Sequence, residues 1–185
     1  MNTRLLLNLL SRGGLALGLL GLAGWAGLAA IERSDAAAMG EMSDTAFRVR
    51  MAAGLPDGAS ASWYAAVGER ALRVENYDPE FAVDAFEHAL RLEDRDGENW
   101  ARLAYARFMA GAPPASVSTA LGRSYQRMPI GQWQFRRWRL TLVEATWNEL
   151  PVSVRAQAVI EGAQQPESWL GDHAPSVLAA LQTSN

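Results

Sequence analysis

The sequence predicts an all-α protein in which an N-terminal membrane-spanning helix precedes a short array of about three helix pairs. Three observations support this fold class. Residues 13–31 contain no charged side chain. From residue 62 onward, helical stretches of roughly 12–18 residues alternate with brief breaks that contain Gly or Pro. No part of the chain alternates apolar and polar residues with a period of two, so no β-sheet is expected.

The first 31 residues predict a membrane anchor. Residues 1–12 contain two Arg and no acid, and the first acid of the chain is Glu32. Because about 20 apolar residues span the hydrocarbon layer of a bilayer, residues 13–31 are long enough to cross it. The Arg residues before the apolar run predict that residues 1–12 lie in the cytoplasm and that the remainder lies across the membrane.

The composition indicates a bacterial source, since all 17 basic residues are Arg and the chain is rich in Ala and Gly, as in genomes of high GC content. We therefore expect a single-pass protein of the bacterial inner membrane with a periplasmic C-terminal domain. A cleaved signal peptide is the alternative, with Ala36–Ala38 as a cleavage site. Against cleavage, the apolar run exceeds the usual length of about 7–15 residues, and Glu32, Arg33 and Asp35 precede the site. Both interpretations export the domain.

The exported part divides into a linker and a helical domain. Residues 32–61 are rich in Ala, Gly, Ser and Asp and contain the turn signal Pro56-Asp57-Gly58, which predicts a linker. Phe47–Met51 is a candidate short helix within it. Residues 62–185 are expected to form the helical domain.

Similar residues recur in successive helix pairs. Trp63, Trp100 and Trp133 each lie near the start of the first helix of a pair, 37 and 33 residues apart. In the second helices, two sets of residues share one spacing along one helix face. The first set is Ala82, Phe86 and Ala89, and the second is Val117, Leu121 and Ser124. A period of this length indicates a helical repeat.

This pattern resembles the tetratricopeptide repeat, whose 34-residue unit carries Trp and Leu in its first helix and ends in Pro. Trp100 and Leu103 match the first helix, and Pro129 matches the closing residue. The third unit keeps little beyond Trp133 and Pro166. The resemblance covers roughly 105 residues and implies a TPR-like α-solenoid that binds other proteins.

The composition excludes several kinds of chemistry. The chain has no Cys, which removes thiol catalysis, disulfides and thiolate metal sites. Its two His, His88 and His173, are far apart in sequence, so a transition-metal site is not expected. Nucleotide-binding and serine-hydrolase motifs are absent. We expect no cofactor, no bound metal and no enzymatic activity.

Charge is distributed in bands along the helical domain. Residues 69–98 contain ten acids and four Arg, whereas residues 101–139 contain seven Arg and no acid. Two interpretations remain open: the bands pair with each other across helices, or the basic band attracts an acidic partner. Nucleic acid is not expected as that partner, because the exported residues 32–185 sum to −5.

The segment around QWQFRRWRL supplies the candidate binding residues. Its repeat register places Trp138 at a position that faces the concave groove, as Tyr105 does in the preceding unit, whereas Trp133, Phe135 and Trp147 are expected in the core. The predicted partner-binding residues are Tyr64, Arg102, Tyr105, Phe108, Arg136, Arg137, Trp138 and Arg139. Such a surface suits a peptide or a sugar chain.

These observations predict a non-catalytic, membrane-anchored scaffold or adaptor that binds a protein of a bacterial envelope assembly. Exopolysaccharide synthesis or export is suggested by analogy alone, with an acidic glycan as a further ligand. One alternative is a structural accessory subunit of a larger integral membrane complex. The other is a glycan- or peptidoglycan-active enzyme, which requires two carboxylates facing each other in a cleft.

Overall fold

A computed structural model describes residues 37–39 and 41–183, and every regular element in these residues is a helix. The all-α prediction is therefore confirmed for this part of the chain. The helices are α1 (Asp44–Ala52), α2 (Ala61–Ala71), α3 (Pro79–Leu92), α4 (Gly97–Met109), α5 (Pro114–Arg127), α6 (Trp133–Thr146), α7 (Val152–Gly162), α8 (Glu167–His173) and α9 (Pro175–Thr183). Short 3₁₀ turns, Val74–Asn76 and Trp147–Glu149, follow α2 and α6.

Local sequence fixes where these helices begin. The side chains of Ser43, Ser60, Asp78 and Asp96 each accept a hydrogen bond from the backbone N–H three residues later, at the starts of α1, α2, α3 and α4. Such caps satisfy backbone donors that have no partner within the helix. At the other end of α4, Gly111 has a φ of 68°, which only glycine adopts without strain, and the chain reverses there.

The helices from α2 to α7 form two layers. Each of α2, α3 and α4 packs against the next, α6 contacts α4 and α7, and α7 contacts α5. The first helices of the pairs, α2, α4 and α6, thus lie in one layer, and α3, α5 and α7 lie in the other. This arrangement exposes one face of the first layer along the whole array.

Buried residues recur along both layers. In the first layer, adjacent buried residues are spaced 36 residues apart: Val67 and Gly68, Leu103 and Ala104, Arg139 and Leu140. In the second layer, three buried sets share the same internal spacing: Ala82, Phe86 and Ala89; Val117, Leu121 and Ser124; Val154, Ala158 and Glu161. The sequence prediction identified the first two of these second-layer sets and missed the third.

The third pair differs from its predicted register. The sequence prediction aligned Trp133 with Trp100, which makes Arg136 the equivalent of Leu103. In the structure, Arg139 is the buried residue of α6 that corresponds to Leu103 of α4. The prediction that Trp133 lies in the core is wrong, because α6 begins at Trp133 and its side chain is 53% exposed. Phe135 and Trp147 are partly buried.

The C-terminal helices cover the open end of the array. Helix α9 packs on α6, α7 and α8, with Val177 fully buried. Gly162 permits this approach, because a Cβ there would lie 2.5 Å from Cγ1 of Val177. The carboxylate of Glu144 accepts hydrogen bonds from the N–H and the hydroxyl of Ser176, at 3.0 and 2.7 Å, and so fixes the start of α9.

The N-terminal end is covered by residues 37–39 and 41–53, here called the N-terminal strap. The structure differs from the predicted linker of residues 32–61, because these residues include α1 and contribute Met39 and Phe47 to the core. Their side chains line a void of only about 10 Å³ together with Trp63 and Val67. Burial of these two large apolar side chains contributes to the attachment of the strap to the array.

The side chain of Arg70, on α2, holds the N-terminal strap against the array. Arg70 is 4% exposed, and its guanidinium donates to the backbone carbonyl groups of Met39 and Met42 and to the carboxylate of Asp44, the last at 2.9 Å. Asn76 donates to the same carboxylate oxygen at 3.0 Å. A single buried arginine therefore fixes three points of the strap.

Among the described residues, no helix has the length and apolar character needed to cross a membrane. The predicted membrane span, residues 13–31, lies outside the described residues.

We expect Arg70→Met to release the strap, because two buried carbonyl groups and one carboxylate lose their donor, at a cost of roughly 2–3 kcal/mol. Amide hydrogen exchange of residues 44–52 should accelerate, whereas α4 and α5 keep their protection. Arg73→Met, an exposed arginine nearby, serves as control. Unchanged exchange in α1 would contradict this assignment.

Acidification tests the same attachment. The hydrogen bond from Asn76, followed by that from Arg70, lowers the pKa of Asp44 below its usual value of 3.8. A carboxylate whose pKa is lowered by folding stabilises the folded state above pH 3.8, and this contribution disappears as the pH falls through the lowered pKa. The Tm of the wild type should exceed that of Asp44→Asn at pH 5, and the difference should shrink towards pH 2.5. A constant difference in thermal unfolding scans would rule out this role.

Candidate functional site

A groove of about 640 Å³ crosses the exposed face of the first layer. Helices α2, α4 and α6 form its walls, and α3 contributes its floor. We call it the aromatic groove. Its lining residues are Glu69, Leu72, Arg73, Phe86, Glu98, Arg102, Tyr105, Gln132, Trp133, Gln134, Phe135 and Trp138.

Three rings form a corner at one side of the groove. Tyr105 on α4 and Trp138 on α6 meet edge to face, with ring centroids 5.5 Å apart and planes at 65°. Phe135 lies against Trp138 at 5.6 Å and 37°. All three side chains are partly exposed. Because the rings come from two helices, the corner exists only when α4 and α6 are packed together.

Trp133 forms the rim of the groove, and the guanidinium of Arg137 packs on one face of its ring. The guanidinium of Arg137 lies 3.9 Å from the centroid of the Trp133 ring and 5.1 Å from that of Trp169 on α8. The Nε of Arg137 also donates to the side-chain oxygen of Gln165 at 3.2 Å. One face of the Trp133 ring is thus covered by a cation that is itself held in place.

The charged side chains of the groove neutralise one another. Arg102 on α4 donates from Nε to Glu69 on α2 at 2.9 Å and from a terminal nitrogen to Glu98 at 3.2 Å. Arg73, the remaining charged residue, is exposed. The two carboxylates and two guanidinium groups carry no net charge, and Arg102 offers no free positive charge to a ligand.

Two amide side chains complete the groove. Gln132 and Gln134 are exposed at the start of α6. Neither side chain has a hydrogen-bond partner among the described residues. Their amides are therefore available to a ligand.

Three of the eight predicted binding residues, Arg102, Tyr105 and Trp138, meet in the aromatic groove. Phe108 is 39% exposed but lies outside the groove. Arg136 and Arg137 lie on other faces of α6. Arg136 donates to the backbone carbonyl groups of Gly131 and Gln164, which joins the start of α6 to the end of α7.

Tyr64 and Arg139 are corrections to the predicted surface. Tyr64 is 3% exposed, its hydroxyl donates to the carbonyl of Pro56 at 2.5 Å, and its ring packs on His88. Arg139 is fully buried, because it occupies the position in α6 that Leu103 occupies in α4. Neither side chain reaches a partner at the surface.

Arg139 forms a buried ion pair with Glu161 of α7, and neither side chain is exposed. The guanidinium donates to both carboxylate oxygens, at 3.0 and 2.5 Å. The same carboxylate accepts from the hydroxyl of Tyr125 and from the N–H of Gly131, each at 3.0 Å. Arg139 also donates to the hydroxyl of Ser124 at 2.8 Å and lies 4.0 Å from the centroid of the Tyr125 ring.

The tyrosine in this network is held as a hydrogen-bond donor. Burial, followed by the charge of Glu161, raises the pKa of Tyr125 well above its usual value of 10. Its hydroxyl therefore keeps its proton at neutral pH and satisfies one lone pair of the buried carboxylate.

Other arginines of the basic band are also paired within the molecule. Arg107 contacts Glu87 at 3.0 Å and Arg127 contacts Asp94 at 2.5 Å, in each case joining the basic band to the acidic one. With the pair of Arg102 and Glu69, these contacts confirm the interpretation that the charge bands pair across helices. Four of the seven arginines of the basic band, Arg102, Arg107, Arg127 and Arg139, thus contact a carboxylate.

The sequence contains signals for two features that the prediction did not include, the ion pair of Arg102 and the burial of Glu161. Glu98 and Arg102 are four residues apart on one helix, a spacing that predicts an ion pair. Glu161 follows Val154 and Ala158 at the repeat spacing, which marks a buried position despite its charge. No comparable signal exists for Gln132 or Gln134, because their role depends on the position of α6 beside α4.

The described residues contain no group of three or more His, Asp or Glu side chains arranged to hold a metal ion. No protein-family model matches the sequence, and no curated protein or solved structure is significantly similar to it. Function is therefore inferred from the aromatic groove and its surroundings.

We expect Arg139→Met to destabilise the protein by about 3–5 kcal/mol, because it leaves the carboxylate of Glu161 buried without its counterion. Adding Glu161→Gln removes that charge, keeps an oxygen that accepts from the N–H of Gly131, and presents an NH2 group to the Tyr125 hydroxyl, which can rotate to accept from it. The double variant should therefore be more stable than the single one in urea unfolding. Arg123→Met, on the surface of α5, should change stability by less than about 0.5 kcal/mol. A double variant no more stable than Arg139→Met would contradict the assignment.

Proposed function

We propose that this protein is a membrane-anchored, non-catalytic adaptor whose aromatic groove holds a segment of a partner protein. The observation that carries this proposal is the aromatic corner of Tyr105, Phe135 and Trp138 beside unpaired amides in an open groove. Aromatic side chains at the centre of an interface, surrounded by polar ones, are typical of residues that dominate binding energy.

The array supports this role by its shape. We assign it to the TPR-like α-solenoids on two observations: the 36-residue recurrence of buried positions in the first layer and the shared spacing in the second. Stacked helix pairs of this kind present their first helices along an extended binding surface. The aromatic groove occupies that surface.

Residues 13–31 provide the proposed anchor, with the array in the periplasm and an envelope assembly as its setting. Participation in exopolysaccharide synthesis or export is retained as an analogy. A protein segment is better supported than an acidic glycan, because Arg102 is paired with two carboxylates and Arg139 is buried.

One observation favours the enzyme alternative, and it carries less weight. Glu69 and Glu98 both contact the guanidinium of Arg102, so they lie close enough for the separation of roughly 5–10 Å that glycosidases use. Both side chains, however, are ion-paired and more than a third exposed. Neither occupies the apolar surroundings that keep a catalytic acid protonated.

Isolation of the tagged full-length chain in mild detergent, with identification of co-purifying proteins, tests the adaptor role. We expect a stoichiometric partner whose affinity falls roughly 30-fold with Trp138→Ala, equal to about 2 kcal/mol at a central aromatic contact. Phe108→Ala is the matched control, since it removes an exposed ring from α4 outside the groove. Circular dichroism should show unchanged helicity in both variants.

Two results would contradict the proposal. A partner retained in full by Trp138→Ala would favour the accessory-subunit alternative, with contacts elsewhere on the array. Hydrolysis of peptidoglycan or glycan that depends on both Glu69 and Glu98 would favour the enzyme.

A further inference from the structure

We infer that the aromatic groove selects an uncharged, extended peptide segment that inserts one aromatic side chain into the corner between Tyr105 and Trp138. This inference rests on the proposed function and specifies its ligand. Three features of the groove support it. The charged side chains sum to zero, the rings of Tyr105 and Trp138 cross, and the side-chain amides of Gln132 and Gln134 have no hydrogen-bond partner among the described residues.

The charged side chains of the groove sum to zero, so the groove gives a charged ligand no net attraction. Each of the two carboxylates that contact Arg102 already holds that guanidinium, and Arg73 balances the remaining charge. A ligand carboxylate at Arg102 would have to displace Glu69 or Glu98 and would lose as much as it gained, which leaves it only the exposed, solvated guanidinium of Arg73. A ligand cation would meet Arg102 and Arg73 in the same space. An uncharged segment pays neither cost.

The geometry of Tyr105 and Trp138 favours an inserted peptide side chain over a stacked sugar ring at the corner. A pyranose ring stacks on an open, flat aromatic face. Tyr105 and Trp138 cross at 65°, and one face of the Trp133 ring is covered by Arg137 at 3.9 Å. Crossed rings form a corner that accepts a third ring in edge-to-face contact, with centroids about 4.5–7 Å apart. An inserted Phe, Tyr or Trp side chain fits this arrangement.

The amides of Gln132 and Gln134 match the remaining surface of a peptide. An extended backbone presents an N–H and a C=O at each residue, and an amide side chain supplies one acceptor and two donors. Both glutamines lie at the start of α6, within one turn of Phe135 and within two turns of Trp138. A segment whose side chain enters the corner therefore passes its main chain along these two amides.

The size of the groove limits the length of the segment. A volume of about 640 Å³ lies within the range of clefts that hold small ligands, roughly 300–1,000 Å³. Only a few residues are enclosed, so the aromatic side chain has to supply most of the specificity. Affinity in the micromolar range is expected for such a short contact.

The test is selection of a phage-displayed library of random 12-residue peptides on the purified full-length chain, with Trp138→Ala as the counter-selecting protein. Enriched peptides should share one aromatic residue within an uncharged stretch. Synthetic copies should bind the wild type with micromolar Kd, measured by fluorescence anisotropy. The Kd should change less than about twofold between 50 and 500 mM salt, because no net charge is paired.

Two variants separate the contributions of the corner and the amides. Trp138→Ala should weaken binding roughly 30-fold and should abolish the preference for an aromatic residue. Gln132→Ala with Gln134→Ala should weaken binding about threefold to tenfold for every enriched peptide and leave that preference intact. Phe108→Ala and Thr141→Ala, outside the groove on α4 and α6, are the matched controls and should bind as the wild type does.

Several results would overturn the inference. These are the absence of any enriched peptide, enrichment of acidic or basic peptides, strong salt dependence, and binding of a neutral β-linked glucose hexamer that Trp138→Ala abolishes. If partner capture depends on Trp138 while the selected peptides are charged, this inference fails and the adaptor function stands. If partner capture is independent of Trp138, the adaptor function itself fails.

Discussion

The buried ion pair between Arg139 and Glu161 is the constraint on which the third helix pair, and with it the groove, depends. Removing two charges from water costs several kcal/mol for each ion, and only excellent geometry offsets that cost. Here the carboxylate has four donors, two from Arg139, one from Tyr125 and one from Gly131. This geometry requires α5, α6 and α7 to meet in one arrangement, and that arrangement sets the position of Trp138 beside α4.

Charge in this protein organises the array more than it attracts ligands. The acidic residues 69–98 and the basic residues 101–139 are consecutive in sequence, so each acidic helix lies next to a basic one when the chain folds into hairpins. Exposed pairs such as Arg107 and Glu87 contribute only about 0–1 kcal/mol each. Their combined effect is to leave a surface groove in which aromatic contacts and neutral hydrogen bonds determine what binds.

Periodicity predicted the helical class, the pairing of helices and two of the three rings of the aromatic corner, Tyr105 and Trp138, because burial of apolar residues follows helical spacing. It failed where buried positions carry charge. Arg139 and Glu161 read as surface residues by composition, since arginine and glutamate are almost never fully buried unless paired. The strap was predicted in part: Phe47–Met51 was expected as a short helix and lies within α1, but its packing on the array was not expected. Contacts between distant residues decided both cases.

The attachment of the strap through Arg70 has a mechanical consequence. Five residues, 32–36, separate the proposed membrane helix from the first described residue of the strap, and five residues extend at most roughly 17 Å. If residues 13–31 anchor the chain as proposed, a pull on them reaches the carbonyl groups held by Arg70 before it reaches the aromatic groove. The buried guanidinium then carries the load between the membrane and the array.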